Sequence, residues 1–302
     1  MKFTLLPGLL FAAAMSSSAN AADATRAVVD DTGARVTVNT QSCRIVSLAP
    51  GTTAMLYAAG AGHCLVGTIA HSVEPAEAAR IPVVGDAETL DFEQLLTLRP
   101  SVVVVAVDVV QRVRIDRIRS LGVPVYEVHV TRLAGMPESI ERLGALTGTA
   151  EVATESAADL RAELEAIAAK YRARPRIRVL YQIWDRPIYT IGGKHVINDA
   201  LRLCGAENVF AELGTAAPAV TRESVVLRDP ELIIASGPPG AGDPWLAEWR
   251  RFPALSAVRD GRLVAHSDLR IDRMGPSVIA ATGSLCEVID RSRAAVHAAP
   301  GR

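Results

Sequence analysis

A segment that occurs twice constrains this chain more than anything else in it. LDFEQLLTLRPSVVVVA at 90–106 and VTRESVVLRDPELIIA at 220–235 follow one plan. A glutamate (Glu93, Glu223) opens a helix of one to two turns, a proline (Pro100, Pro230) ends it, and four or five apolar residues follow as a buried strand. Two halves built alike predict two lobes facing each other across a cleft. With 302 residues, each lobe has chain enough for a core of its own.

Around these segments, strands and helices alternate. Strands are expected at 44–48, 65–69, 102–107 and 125–128, with helices at 52–59, 92–98, 109–121 and 136–147. The second half repeats this with strands at 178–183, 231–235 and 263–265 and helices at 196–204, 223–228, 244–250 and 276–293. The strands are continuous valine-rich runs, as in parallel sheets covered on both faces. Before the alternation, 28–38 reads as a hairpin turning at Asp30-Asp31-Thr32-Gly33. Between the halves, 150–174 lacks glycine and proline, and Leu160, Leu164, Ile167 and Tyr171 recur at helical spacing. That is a stiff amphipathic helix of about 24 residues, roughly 36 Å long. The expected fold is therefore α/β: two parallel-sheet lobes joined by one long rigid helix, with a ligand cleft between them. The divisions are a signal at 1–21, a first lobe at 22–149, the helix at 150–174, a second lobe at 175–294 and a tail at 295–302.

Met1 to Ala21 carries Lys2, an apolar stretch from Phe3 to Met15 and a small-x-small site at Ala19-Asn20-Ala21, the pattern of a cleaved secretory signal. No cysteine near the cleavage point offers a lipid anchor, and a periplasmic location is expected. Export makes Cys43, Cys64, Cys204 and Cys286 disulfide candidates, with three pairings open. If the strands at 44–48 and 65–69 are parallel neighbours, Cys43 and Cys64 share a sheet edge, which leaves Cys204 and Cys286 near helix ends in the second half. Composition does not choose among the pairings.

A net charge of −1 and 4% aromatic residues argue against nucleic acid as a partner. No nucleophile elbow, phosphate loop or dinucleotide fingerprint is present, so no catalytic residue is assigned. Gly192-Gly193-Lys194-His195 reads as a turn into the next helix. The six histidines lack metal-ligand spacing, and no metal or cofactor is expected; His71 and His266, at strand ends, are candidates to face the cleft. Pro50, Gly51 and Thr52 lie where a strand end turns into a helix, the edge of a parallel sheet where ligands sit. Capping of the helix by Thr52 or Thr53 explains the same residues equally well.

Taken in order, RIVSLAPGTTAMLYAAG (44–60), the first repeated segment, the mid-chain helix, ALRLCGAENVF (200–210), the second repeated segment and FPALSAVRDGRLV (252–264) resemble the cobalamin-, haem- and ferric-siderophore-binding proteins that serve ABC importers. The resemblance covers nearly all of 42–292 and is greatest to the cobalamin-binding members. It implies capture of cobalamin without chemistry and delivery to the transmembrane subunits of an importer by a monomer, with Glu93 and Glu223 docking onto importer arginines. It also implies a Cys204–Cys286 disulfide. For the ligand it implies Tyr189 facing the ring, Asp268 and Arg273 as rim groups and His71 in place of a cleft tyrosine. Cleft tryptophans of the family are missing at Asp86-Ala87, Val107 and Pro218-Ala219, with Trp184 a replacement, and Thr53-Ala54 stands where the family has Thr-Glu. Haem is the alternative ligand, with His71, Tyr189 or Tyr57 as axial group. A ferric siderophore would use His266, Arg270 and Arg273, and a secreted α/β enzyme is the reading from another class.

Overall fold

Alternate residues of each buried strand enter different cores, and this decides the architecture. In the computed structural model, which describes residues 25–39, 42–86, 88–107 and 109–297, Val102 and Val104 pack into one apolar cluster while Val103 and Val105 pack into another. The same split divides Leu232 and Ile234 from Ile233 and Ala235. A pleated strand points successive side chains to opposite faces, so a run without polar residues must be covered twice. The signal sequence expected at 1–21 lies outside the described residues. Among the described residues no helix is long and apolar enough to cross a membrane.

Thr25–Val29 (β1) and Arg35–Asn39 (β2) form the expected antiparallel hairpin. Asp30 Oδ1 holds its turn by accepting from the Thr32 amide (2.9 Å), the Thr32 hydroxyl (2.7 Å) and the Ala34 amide (2.9 Å). Ile45–Ser47 (β3), Pro50–Ala58 (α1), Leu65–Gly67 (β4), Phe92–Thr97 (α2), Val102–Ala106 (β5), Arg112–Ser120 (α3), Val125–Val128 (β6) and Gly135–Thr147 (α4) follow. Their parallel sheet has the order β4-β3-β5-β6. Gly148, at φ 83°, turns α4 into the long helix Ala150–Tyr171 (α5), and the amides of Gly148 and Thr149 both donate to Gly144 O at 2.9 Å.

The second lobe comprises Ile177–Trp184 (β7), Ile188–Thr190 (β8), Val196–Leu203 (α6), Ala206–Asn208 (β9), Ala219–Val220 (β10), Arg222–Arg228 (α7), Leu232–Ser236 (β11), Gly242–Trp249 (α8), Ser256–Arg259 (α9), Leu263–His266 (β12) and Ser277–His297 (α10). β9, β11 and β12 run parallel in its sheet, β9 and β11 both pairing β7. The short β8 and β10, which the sequence pattern does not announce, extend it as an antiparallel ribbon. Two or three residues are too few to show a period of their own.

The repeated segments fold alike. Asp91 caps α2 by accepting from the Gln94 amide (2.9 Å), and Thr221 caps α7 from the Ser224 amide (3.2 Å). Leu95 and Val225 are buried beneath, and Glu93 and Glu223 are exposed above. Arg99 and Asp229 leave the helices at φ 45° and 41°, just before Pro100 and Pro230.

The lobes do not have wholly separate cores, contrary to expectation. One cluster runs from Ile45, Met55, Val104 and Tyr126 of the first lobe to Tyr181, Leu201, Ile234 and Ile279 of the second, with Leu160, Leu164 and Ile167 of α5 packed on it. Each sheet has a private core only on its outer face. α5 is stapled to α4 by the two-pronged Arg161–Glu141 pair (both 2.7 Å) and to α10 by Lys170–Glu287 (3.6 Å). Disulfides join Cys43 to Cys64 at the start of two neighbouring strands, and Cys204 to Cys286 between α6 and α10.

Candidate functional site

Ser47, at the end of β3, and the first turn of α1 form a buried hydroxyl knot. Ser47 Oγ lies 2.7 Å from Thr52 Oγ1 and accepts from Thr53 Oγ1 at 2.9 Å, and Thr52 Oγ1 donates to Ala49 O at 3.0 Å. The knot fixes the strand-to-helix turn in which Pro50 begins the helix, and it consumes the Thr52 hydroxyl. Above this turn lies a cavity of about 250 Å³. The first lobe lines it with Pro50, Gly51, Thr52 and His71 and with Ala106 and Val128 at the C-terminal ends of β5 and β6. The second lobe contributes the short stretch Asp272, Arg273 and Met274.

The two sides meet closely. A Cβ on Gly51 would lie within 3 Å of the carbonyl groups of Arg273 and Met274, so only glycine allows this approach. Arg273 Nη1 donates to Glu74 Oε1 at 2.6 Å and Ser277 Oγ to Glu74 Oε2 at 2.9 Å, a clamp between lobes. A second clamp runs from the Leu133 amide to Asp199 Oδ2 at 2.9 Å. His71 (φ 67°) and Met274 (φ 51°) both adopt the left-handed region that residues with a Cβ rarely occupy, one on each side of the cavity.

The candidate ligand residues divide by position. Pro50, Gly51, Thr52, His71 and Arg273 converge on the cavity, with Arg273 already engaged by Glu74. Trp184, Tyr189 and Asp268 lie outside its lining. Trp184 is exposed and tilts against Trp245 at 6.2 Å between ring centroids. Tyr189 is half-buried in β8, between β7 and β10. Asp268 caps the turn before Asp272 and pairs with Arg270 (2.6 Å), which first among its neighbours lowers its pKa to about 2. The acid that does line the cavity is Asp272. It is exposed at the cavity lining; desolvation first, then the charge of Asp268, raises its pKa to about 6. His266 lies buried at the end of β12, both ring nitrogens without a partner among the described residues, and its pKa is pulled down chiefly by burial. Tyr57 packs over Gly62, outside the cavity lining. Cys43, His63 and Cys64 form the only metal-like cluster among the described residues, and its sulfurs are spent in a disulfide.

The profile of one family, described as periplasmic binding protein, matches residues 45–268. The chain belongs to that family. Among curated relatives, the vitamin B12-binding protein of Vibrio parahaemolyticus is 30% identical over 244 residues, covering 81% of this chain and 88% of that protein. The vitamin B12-binding protein of Vibrio campbellii is 32% identical over 213 residues, 70% of this chain and 78% of its own length. Among solved structures, the periplasmic vitamin B12-binding protein BtuF of Vibrio cholerae superposes with a TM-score of 0.74 at 29% identity, covering 83% of this chain and 97% of that one. The periplasmic heme-binding protein RhuT of Roseiflexus sp. RS-1 shares the fold, with a TM-score of 0.71 at 23% identity over 82% of this chain and 98% of its own. The cavity lies at the C-terminal strand ends of the first lobe, where Asp272 to Met274 of the second lobe meet them. Asp272, Ala106 and Val128 are among the lining residues that no sequence motif singled out, with Val73, Val109, Val130 and Met274. The strand-end rule, applied to the strands at 102–107 and 125–128, points to Ala106 and Val128.

Proposed function

We propose that the mature chain is a periplasmic monomer that captures cobalamin or a related corrinoid between lobes at 22–149 and 175–294, and delivers it to the transmembrane subunits of an ABC importer. The observation that carries this reading is the apolar cavity at the strand ends of the first lobe, closed by Asp272 to Met274 of the second, in a chain whose curated relatives bind vitamin B12. At about 250 Å³ the cavity takes only an edge of so large a ligand. The ring then lies across the cavity mouth, with the exposed Trp184 and half-buried Tyr189 on the second lobe as its stacking partners. Glu93 and Glu223, exposed on structurally equivalent helices, act as a matched pair of acids for docking. No cofactor takes part, and the tied hydroxyl of Thr52 supports binding without catalysis.

Calorimetry with cyanocobalamin, followed by chromatography of the recovered ligand, tests this reading: saturable 1:1 binding with unaltered cobalamin is expected, and absent binding or a chemically changed product overturns it. His71 in the cavity favours haem as a second reading, because a histidine there offers an axial ligand. A hemin titration that shifts the Soret band in the native protein, and not in His71→Ala, would select it.

A further inference from the structure

The edge of the second sheet opposite the cleft carries a concentration of positive charge that ligand capture does not use. Beyond the end of α5 the chain reads Arg172-Ala173-Arg174-Pro175-Arg176, an arginine at every second position. With Arg202 from the last turn of α6, these arginines surround a concavity of about 220 Å³ floored by Tyr171 and Gly205, and no acidic side chain lines it. Arg172 pairs with Glu165 (2.9 Å) and Arg174 with Asp290 (3.2 Å). Arg176 and Arg202 have neither an ion pair nor a side-chain hydrogen bond among the described residues. Beneath the floor, Arg293 donates to Cys204 O (2.7 Å) and Gly205 O (2.8 Å), and its buried Nε has no partner. Burial first, with Arg174 adding, pulls its pKa down against the opposing effect of Asp290.

Five guanidiniums thus crowd round two carboxylates, an excess of three positive charges in a chain whose net charge is −1. Helix ends account for part of this. Arg172 and Arg202 lie where α5 and α6 present unpaired carbonyls, and a cation there is favoured by the helix dipole. Arg174 and Arg176 lie past the helix and gain nothing from it. Like charges gathered round a concave surface repel unless a counter-charge joins them, and guanidinium forks match tetrahedral oxyanions in geometry as well as in sign.

We propose that this concavity is a binding site for a phosphate-type oxyanion carrying more than one negative charge, with Arg176 and Arg202 as its principal ligands and Arg172 and Arg174 as its walls. Such an anion joins the end of α5 to α6 and, through Arg174 and Arg293, to α10. It therefore stabilises the junction between the connecting helix and the second lobe. The phosphate belongs either to a free oligophosphate or to a lipid headgroup at a membrane surface.

Pyrophosphate titrated into the mature, disulfide-bonded protein at low ionic strength tests the site. Saturable binding, weakening as salt rises, is expected, together with a pyrophosphate-dependent rise in the unfolding midpoint. Arg176→Gln combined with Arg202→Gln should weaken that binding at least tenfold while leaving the midpoint without pyrophosphate and the affinity for cyanocobalamin unchanged. Cosedimentation with phosphatidylcholine vesicles, with and without phosphatidic acid, separates the sources: retention on phosphatidic acid that the double variant loses assigns the headgroup, and pyrophosphate binding alone assigns the free anion. Failure of both probes to bind, or equal binding by the double variant, overturns the proposal.

Discussion

Asp272 is the residue at which ligand capture should respond to pH. Its pKa in the fold, about 6, stands above its ordinary value of 3.8, so its contribution to stability is present below about pH 4 and lost as the pH rises through about 6. A ring laid over the cavity withdraws the carboxyl further from water and favours its neutral form. Affinity for cyanocobalamin should therefore rise as the pH falls through about 6, and calorimetry at pH 5 and 7 should show that dependence flattened in Asp272→Asn. Gly51→Ala tests the close approach of the lobes: a methyl group has no room against the carbonyls of Arg273 and Met274, so the second-lobe segment must move and affinity should fall about tenfold or more. Tyr189→Ala should cost the ring roughly tenfold in affinity by removing a stacking face, with no change in folding cooperativity.

At the scale of elements, the equivalence of α2 and α7 explains why two acids occupy matching exposed positions. Cap, buried anchor, left-handed exit and proline recur in the same order, so the two glutamates are presented by the same local geometry. Glu93→Ala with Glu223→Ala should lower uptake into importer-containing vesicles by roughly tenfold or more while leaving ligand affinity unchanged. Equal uptake would leave the acids as helix-terminal charges only. The two helices were legible because Glu93 and Glu223 open them and Pro100 and Pro230 end them, whereas their caps, Asp91 and Thr221, emerge only from the structure. The antiparallel ribbon of β8 and β10 was not, because its pairing partner is chosen by the surrounding sheet.

For the whole molecule, the shared core alters what the connecting helix does. α5 lies along an apolar layer that both sheets already cover, and the Glu74–Arg273 and Asp199–Leu133 clamps tie the lobes together across it. Hinge motion would have to expose part of that layer, at about 25 cal/mol for each Å² uncovered. The radius of gyration from small-angle scattering should accordingly agree within error with and without ligand. The disulfides act on the unfolded chain: in the chain-entropy account, the 82-residue separation of Cys204 and Cys286 contributes about 4.5 kcal/mol and the 21-residue separation of Cys43 and Cys64 about 3.3 kcal/mol. Urea titrations should show Cys204→Ala with Cys286→Ala as the more destabilised pair.

The sequence by itself determined the alternation of strands and helices, the duplicated cap–helix–proline–strand unit and the long unbroken helix, because each is written in the spacing of neighbouring residues. It also pointed to Pro50, Gly51 and Thr52, since a strand end running into a helix is a local pattern. Tertiary structure alone decided that, of the two cores covering each strand, one is shared by both sheets. It also chose Asp272 over Asp268 for the cavity. The two acids lie in one short turn, and the side that faces the first lobe follows from packing between residues some two hundred positions apart, such as Glu74 and Arg273. Contacts at that separation depend on how the lobes settle on their common layer, which no local spacing encodes.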